Sequence, residues 1–403
     1  MATAIDPAVF DFLNEIMVGE LCKKSLGYDP ELTLDVARRI QQYTGPVMAK
    51  GLEDTALYRY NRLIALSDVG EKPDRFSASV AAFHDFNRQR LREHPHAMLT
   101  TSSHDTKRGE DVRARVATLA GFTDQWVSRV HQWSEILRRS GAPAIDSNDV
   151  YYFFQLLLGA WPTDLPIHIA ADRIEDFRER VNAAMLKSIR EARLRTNWNV
   201  PRSKYEEETS RFVTIAFESS EFLASFRQFE AVIGPAAAQN GLIETVLKLT
   251  VPGVPDFYQG AEFWEQSMVD PDNRRPVDFS ARWAALNEGA PLGDLIAAWR
   301  DGRIKQQVVA KLLRLRAEEP DLFRSGSYEP LDVGNKFCAF ERRNKESRLL
   351  VAVRLLPWAG ERWSGLILER CTGLADLFNP AGPHDHASAM SSRLPLAVLH
   401  SSC

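Results

Sequence analysis

Two short apolar runs, each ending in a polar cluster, constrain this chain more than any other feature. Ala97-Met98-Leu99-Thr100-Thr101 leads into Ser102-Ser103-His104-Asp105, and Val254-Pro255-Asp256-Phe257-Tyr258 leads into Gln259-Gly260. Runs of this length bounded by turn signals read as buried strands. A third run, Pro46-Val47-Met48-Ala49, follows a helical segment through Leu34 and Ile40 that is expected to stop near Gly45, and it too has a strand's length. Residues Gly51 to Leu66 then return to helical spacing. Strands alternating with helices predict a parallel sheet or barrel.

From about Arg113 to about Thr245 the pattern is almost wholly helical. Trp126, Val130, Trp133 and Leu137 share one face, and Tyr151, Phe154, Leu157 and Leu158 form a second apolar run. This predicts an all-α insertion, in which Trp126, Trp133 and Trp161 are core residues. Upstream, Asp6-Pro7 reads as an N-cap and first helical position, followed by an apolar stripe of Val9, Phe10, Leu13, Ile16, Met17 and Leu21. A core-facing helix is expected there. Past a helix from Lys305 to Glu318, the alternating segments Lys336–Arg342, Arg348–Leu355, Gly365–Leu368 and Leu394–Leu399 predict a small antiparallel β domain.

Composition removes several function classes. A formal charge of −4 over 403 residues, with Lys and Arg spread along the chain, disfavours a nucleic-acid partner and suits a neutral substrate. No apolar run is long enough to span a bilayer, so a membrane partner is not expected either. Cys22, Cys338, Cys371 and Cys403 stand far apart without a C-x-x-C pair, which argues against zinc or a disulfide framework. The opening residues carry Asp6, Asp11 and Glu15 and lack a basic stretch before an apolar one, so a secretory signal is not read and a cytoplasmic location is expected.

Zincin, Walker A, nucleophile-elbow and dinucleotide fingerprints are missing, which leaves carboxylate chemistry as the candidate. His-Asp occurs at His84-Asp85, His104-Asp105 and His384-Asp385. The first sits in a helical pattern and reads as a solvated face. The last lies in a Pro/Gly-rich loop and carries little metal-binding signal. His104-Asp105-Thr106-Lys107-Arg108 differs because it follows a strand, and polar residues at the C-terminal end of a barrel strand are where barrel enzymes place their chemistry. The plainer alternative is that Asp105 caps the next helix while Lys107 and Arg108 are surface charges.

Two further strings bear on that choice. Gly45-Pro46-Val47-Met48-Ala49-Lys50-Gly51-Leu52-Glu53-Asp54-Thr55-Ala56-Leu57-Tyr58-Arg59-Tyr60-Asn61 carries both charge signs and an aromatic, and taken alone it reads equally as a helix start with acids favouring its dipole. Pro252 to Glu262 followed by Asp270-Pro271-Asp272-Asn273-Arg274-Arg275-Pro276 reads alone as a turn with surface arginines. Together, in this order and with the helical insertion between the second and third, the three strings resemble the maltooligosyl trehalose synthases of the α-amylase clan. The resemblance covers nearly the whole chain, including Leu156 to Pro162 and Asp301-Gly302-Arg303-Ile304-Lys305.

That resemblance implies an α/β fold: the C-terminal part of a (β/α)8 TIM barrel, strands 6–8, with a large all-α insertion and a C-terminal antiparallel β domain. The expected boundaries are 1–114 for strands 6 and 7, 115–245 for the insertion, 246–325 for strand 8 and closing helices, and 326–403 for the β domain. Members of the clan act on α-1,4-glucan through an Asp nucleophile, a Glu acid/base and a further Asp. The trehalose synthases move the reducing-end glucose intramolecularly from an α-1,4 to an α,α-1,1 bond. Matched by motif, Asp105 takes the place of the third carboxylate, the transition-state stabiliser, with His104 as a donor beside it. Lys50, Glu53, Asp54, Lys107, Arg108, Tyr258 and Arg274 are placed to line the reducing-end pocket, clustered at the ends of the strands. Neither cofactor nor metal is implied.

The Arg-x-Asp nucleophile motif and the Glu acid/base of that family have no counterpart in these residues. The expected partners are therefore a maltooligosaccharide substrate and a complementary N-terminal half carrying barrel strands 1–5, since three strands cannot close a barrel. Two readings follow: a subunit of a split synthase that is inactive alone, or a non-catalytic glucan-binding or assembly module.

Overall fold

A computed structural model describes residues 6–23, 27–164, 171–356, 359, 363, 367, 371, 373–378 and 394–402. It begins with two helices, α1 (Pro7–Met17) and α2 (Pro30–Met48), whose starts follow from local chemistry. Asp6 accepts a hydrogen bond from the Ala8 amide, Asp29 accepts from the Glu31 and Leu32 amides, and proline occupies the first position of each helix. These caps satisfy N–H groups that have no partner inside the helix.

The helix does not stop at Gly45. It runs through Pro46 to Met48 and continues as a wider π-type turn over Ala49–Ala56, so the expected strand at 46–49 is helical instead. No strand of the described residues lies alongside this segment, and a strand without a neighbour leaves its N–H and C=O groups unpaired, whereas a helix closes its own. Val47 and Met48 are 52 % and 63 % exposed rather than buried. The expectation for α1 is corrected likewise: of its stripe only Ile16 and Leu21 are buried, while Phe10 is 58 % exposed.

A short α3 (Leu57–Arg59) and α4 (Val80–Glu93) lead to β1 (Met98–Leu99), which pairs in parallel with β2 (Val254–Pro255). The Val254 amide donates to the Ala97 carbonyl and the Asp256 amide to the Leu99 carbonyl, each at 2.9 Å. Gly253 precedes this pair at φ +128°, where a side chain is strained and where a Cβ would lie 2.8 Å from Leu99 Cδ1.

Between β1 and β2 stand α5 (Glu110–Thr118), α6 (Thr123–Arg139), α7 (Ser147–Ala160), α8 (Ala171–Ala192), α9 (Ser203–Glu218) and α10 (Ser220–Thr250). Their core is aromatic. Trp133, fully buried, meets the rings of Phe154, Phe222, Phe226 and Phe229 at 5.4–5.9 Å between centroids and donates its indole N–H to Ser225 Oγ at 3.0 Å. Trp126 and Trp161 are buried as well. α5 approaches α7 closely at Gly159, where a Cβ would meet Val112 and Val116 at 2.7 and 2.9 Å.

Downstream lie α11 (Phe279–Glu288), α12 (Leu292–Ala297), α13 (Arg303–Glu318), α14 (Pro320–Arg324) and the strands β3 (Glu329–Leu331), β4 (Phe337–Arg343), β5 (Ser347–Arg354), β6 (Ala375–Asp376) and β7 (Leu396–Ser402). The strands form an antiparallel sheet in the order β3-β4-β5-β7-β6, with Ala339 opposite Ala352 and Val351 opposite Val398. Period-two alternation sends Phe340, Leu349, Val351, Val353 and Val398 into one cluster with Val308 and Leu312 of α13, and Ala339, Leu350, Ala352, Ala397 and Leu399 into a second. The molecule is thus helix-rich with a C-terminal antiparallel sheet. His84 on α4 belongs to this contact: it is buried, with Nδ1 2.8 Å from the Tyr328 hydroxyl, so the solvated-face reading fails for His84, whereas Asp85 is exposed and pairs with Arg88. The expected strand 365–368 and His384-Asp385 lie outside the described residues, apart from Ile367.

Candidate active site

The loop after β1 carries His104 and Asp105 and is fastened on three sides. Inside the loop, Ser103 Oγ accepts from the Asp105 amide at 3.2 Å, and Thr106 Oγ1 donates to the Ser103 carbonyl at 2.8 Å. On one flank Asp68, fully buried, accepts the Lys107 and Arg108 amides at 3.0 and 3.1 Å and pairs with Arg113 at 3.3 Å. On the other flank Asn273 Nδ2 donates to the carbonyls of Ser103, His104 and Thr106 at 3.0–3.4 Å. The Asp105 and His104 side chains, held by this frame, remain exposed. Asp105 is not a helix cap: α5 starts after Gly109, and the Glu110 amide is taken by Ser102 Oγ at 2.9 Å.

Beneath the loop lies a buried ionic network that residue patterns did not single out. Lys305 of α13, fully buried, donates to Glu110 and Asp111 at 2.6 Å each. Lys248 of α10 reaches Glu110 at 3.2 Å and the Thr101 hydroxyl at 2.7 Å, and Thr101 itself donates to Glu110. Burial raises the Glu110 pKa, but Lys305 and Lys248 outweigh it and leave it at about 2. The network therefore ties α5, α10 and α13 to Thr101, the residue entering the loop. The available signal was a lysine at position 305 on the same helical face as Ile304, Val308 and Leu312, where an unpaired charge is not tolerated.

The second element of the site is the π-type turn. Asp54 bonds both Lys50 and, at 2.8 Å, Lys107 Nζ, which is 3 % exposed and lies 5.9 Å from the Tyr58 ring centroid. Burial pushes the Asp54 carboxyl up, but the two ammonium groups win and hold it below its ordinary range. The bond to Asp54 raises Lys50, and the Asp105 carboxylate adds to the field on it. Lys50, Asp54 and Lys107 thus form one ion-paired group, with Asp105 two residues before Lys107 on the braced loop, although Lys50 sits on a helical turn and not at a strand end. Wide turns of this type expose backbone carbonyls and recur at functional sites.

The remaining candidates divide. Arg274 is exposed and reaches the His104 carbonyl at 3.4 Å and Asp270 at 3.5 Å, so it borders the loop. Arg108 is turned inward, 1 % exposed, donating to the Ser67 carbonyl at 2.5 Å and standing 3.4 Å from the Tyr152 hydroxyl; it braces the loop and does not face a ligand. Glu53 and Tyr258 are half-buried, and no hydrogen bond joins their side chains to the Lys50–Asp54–Lys107 group. Among the described residues no cluster of three or more His, Cys, Asp or Glu is placed to hold a metal ion.

No family model matches the chain. A Mycobacterium tuberculosis protein that carries the name maltooligosyl trehalose synthase is 37 % identical over 321 residues, 79 % of this chain and 38 % of that protein. A Sulfolobus tokodaii crystal structure described as a hypothetical maltooligosyl trehalose synthase superposes with a TM-score of 0.74 at 32 % identity, covering 89 % of this chain and 46 % of the other. The chain is a relative of the maltooligosyl trehalose synthases. The Arthrobacter ramosus maltooligosyltrehalose synthase structure gives a TM-score of 0.71 at 33 % identity over 93 % of this chain and 47 % of its own. The chain thus spans about half the length of these solved synthases and 38 % of the curated one. Among the described residues no helix is long and apolar enough to cross a membrane.

Proposed function

We propose that the chain forms one half of a maltooligosyl trehalose synthase site, which converts the reducing-end α-1,4 bond of a maltooligosaccharide to an α,α-1,1 bond. The observation that carries this reading is the braced loop after β1: it holds Asp105 exposed two residues before Lys107, whose ammonium is bonded to Asp54 at 2.8 Å. Asp105 accepts hydrogen bonds from adjacent hydroxyls of the reacting sugar and favours the oxocarbenium-like transition state, while His104 donates to the same ring. Lys50 supplies a donor to the sugar at the reducing end, the buried Lys107 holds Asp54 in place behind it, and Arg274 borders it.

A retaining displacement needs a nucleophile and an acid/base about 5–5.5 Å apart. Neither is identified here, so a complementary segment carrying the first five barrel strands supplies both and docks on the uncovered face of α1 and α2. Chain mixed with that segment is expected to form trehalose ends from maltopentaose, whereas chain alone is expected to bind at most. In the mixture, Asp105→Asn lowers kcat with little change in KM, because its bonds strengthen only in the transition state. Unchanged kcat in that variant, or Asp105-dependent turnover by the rigorously purified chain alone, sinks the assignment.

A further inference from the structure

His84 stands where α4 meets the C-terminal sheet. Val80, Phe83 and Leu91 of α4 pack against the cluster that contains Tyr328, Cys338 and Phe340. Helical spacing puts His84 on the same face as Val80, Asn87 and Leu91, and so turns it into this seam. The imidazole is 4 % exposed, with Nδ1 2.8 Å from the Tyr328 hydroxyl and Nε2 3.9 Å from Cys338 Sγ. The Tyr328 ring carries the contact on to Phe340, 4.8 Å away between centroids.

These neighbours suit a neutral ring and not a charged one. Neutral imidazole accepts at one nitrogen and donates at the other, which matches a hydroxyl and a thiol. A protonated ring donates at both, so the Tyr328 hydrogen must turn away and the second N–H meets sulfur, a weak acceptor. Neither neighbour supplies a negative charge: burial raises the Tyr328 hydroxyl above its ordinary value and pushes the Cys338 thiol up to about 12. Asp85 is exposed and already bonded to Arg88 at 2.5 Å. The other charges packed around the seam are cations. Arg342 of β4 donates to the carbonyls of Thr250, Phe323, Gly326 and Ser327 at 2.9–3.3 Å. Arg316 of α13 donates to those of Leu249 and Gly253 at 2.9 Å each, and Arg90 of α4 to Asn87 at 2.8 Å and the Pro252 carbonyl at 3.3 Å. Burial therefore dominates at His84 and holds it below its ordinary 6.5, with Arg88 lowering it further and Asp85 opposing.

We propose that His84 is an acid-released latch: uptake of a proton there loosens α4 from the C-terminal sheet, while the sheet keeps its packing on α13. The sign follows from the neutral ring being the docked form. As pH falls from 6.5 towards the lower value of the docked ring, the released ring takes the proton first and the balance moves to release. The chain passes from α4 into β1, so the latch also steadies the strand that presents the Asp105 loop.

Cys338 reports release, because His84 covers it. Its rate of alkylation by iodoacetamide, mapped by mass spectrometry on the full chain, is divided by that of the half-buried Cys22 in the same sample, which cancels the thiolate fraction. Between about pH 7.5 and about pH 5.5 the ratio is expected to rise roughly five- to tenfold, one pH unit below the free imidazole value giving at most about a factor of ten. Cys371, buried in the cluster on the other face of the sheet, is expected to stay protected. His84→Asn, which does not titrate, should give a flat ratio. Three results overturn the proposal: a flat ratio in the wild type, the same rise in His84→Asn, or an equal rise at Cys371, which would mean that the sheet itself unfolds. Should His84→Asn fail to fold, the wild-type ring resonance in contact with Tyr328 decides. A midpoint below 6.5 that coincides with the labelling change upholds the latch, and one at or above 6.5 overturns it.

Discussion

The helices α5–α10 and the pair α1–α2 are both amphipathic by sequence, yet they meet opposite fates. In the first region each apolar stripe finds another: Trp133 sits among five aromatic rings with none of its surface exposed. In the second, Val9, Phe10, Phe12, Leu32, Tyr43, Val47 and Met48 are all more than 40 % exposed. Periodicity thus reports that a face wants burial without saying against what. Several large apolar side chains exposed on one pair of helices are the kind of feature that marks an interaction site.

The contrast breaks most readily where charge is buried. Lys305→Met leaves Glu110 and Asp111 facing one another without their shared cation, and is expected to cost about 3–5 kcal/mol in denaturant unfolding. A loss below about 1 kcal/mol would show that the network is hydrated rather than sealed. Trp133→Ala is expected to cost a similar 3–5 kcal/mol through the cavity it leaves. The same measurement on Phe10→Ala should move stability by no more than about 0.5 kcal/mol.

A pH experiment sharpens the comparison further. Burial in the α5–α10 core pushes Glu244 up to about 7 from 4.5. A carboxyl raised on folding binds its proton more tightly in the native state, so its ionisation destabilises the fold. The sign is therefore a stability that is full below pH 4.5 and falls as pH rises towards 7, by on the order of 3 kcal/mol. Glu244→Gln should remove that slope between those two pH values, and an identical slope in wild type and variant would place the titration elsewhere. The smallest stability effect is expected on the open face: Phe10→Ser with Met48→Ser should leave the unfolding midpoint nearly unmoved while reducing self-association in sedimentation. Unchanged association would mean that this face does not drive self-association.

Much of the molecule was legible in its residues because the relevant forces act over a few positions. Asp6-Pro7 caps a helix through its own neighbours, the stripe containing Trp126 and Trp133 needs only a 3.6-residue period, and β4, β5 and β7 follow alternation. The loop carrying His104 and Asp105 was visible for a similar reason, since an apolar run ending in polar residues describes a strand end wherever it occurs. Local reasoning failed where a partner far along the chain decided the outcome. Residues 46–49 have a strand's composition, but strand or helix depends on whether another strand lies alongside, and none does among the described residues. His84 looked solvated until Tyr328, 244 positions away, closed over it. Arg108 and Lys107 are adjacent in sequence yet point to different fates, one into Ser67 and Tyr152 and the other to Asp54, because the loop's path is set by Asp68 and Asn273. The sequence by itself therefore determined most of the helices, the alternating strands β4, β5 and β7, and the polar loop after β1. Tertiary structure alone decided which charges are buried, which faces stay open and which side chains share the site, because burial and ion pairing depend on distances in space that periodicity does not encode.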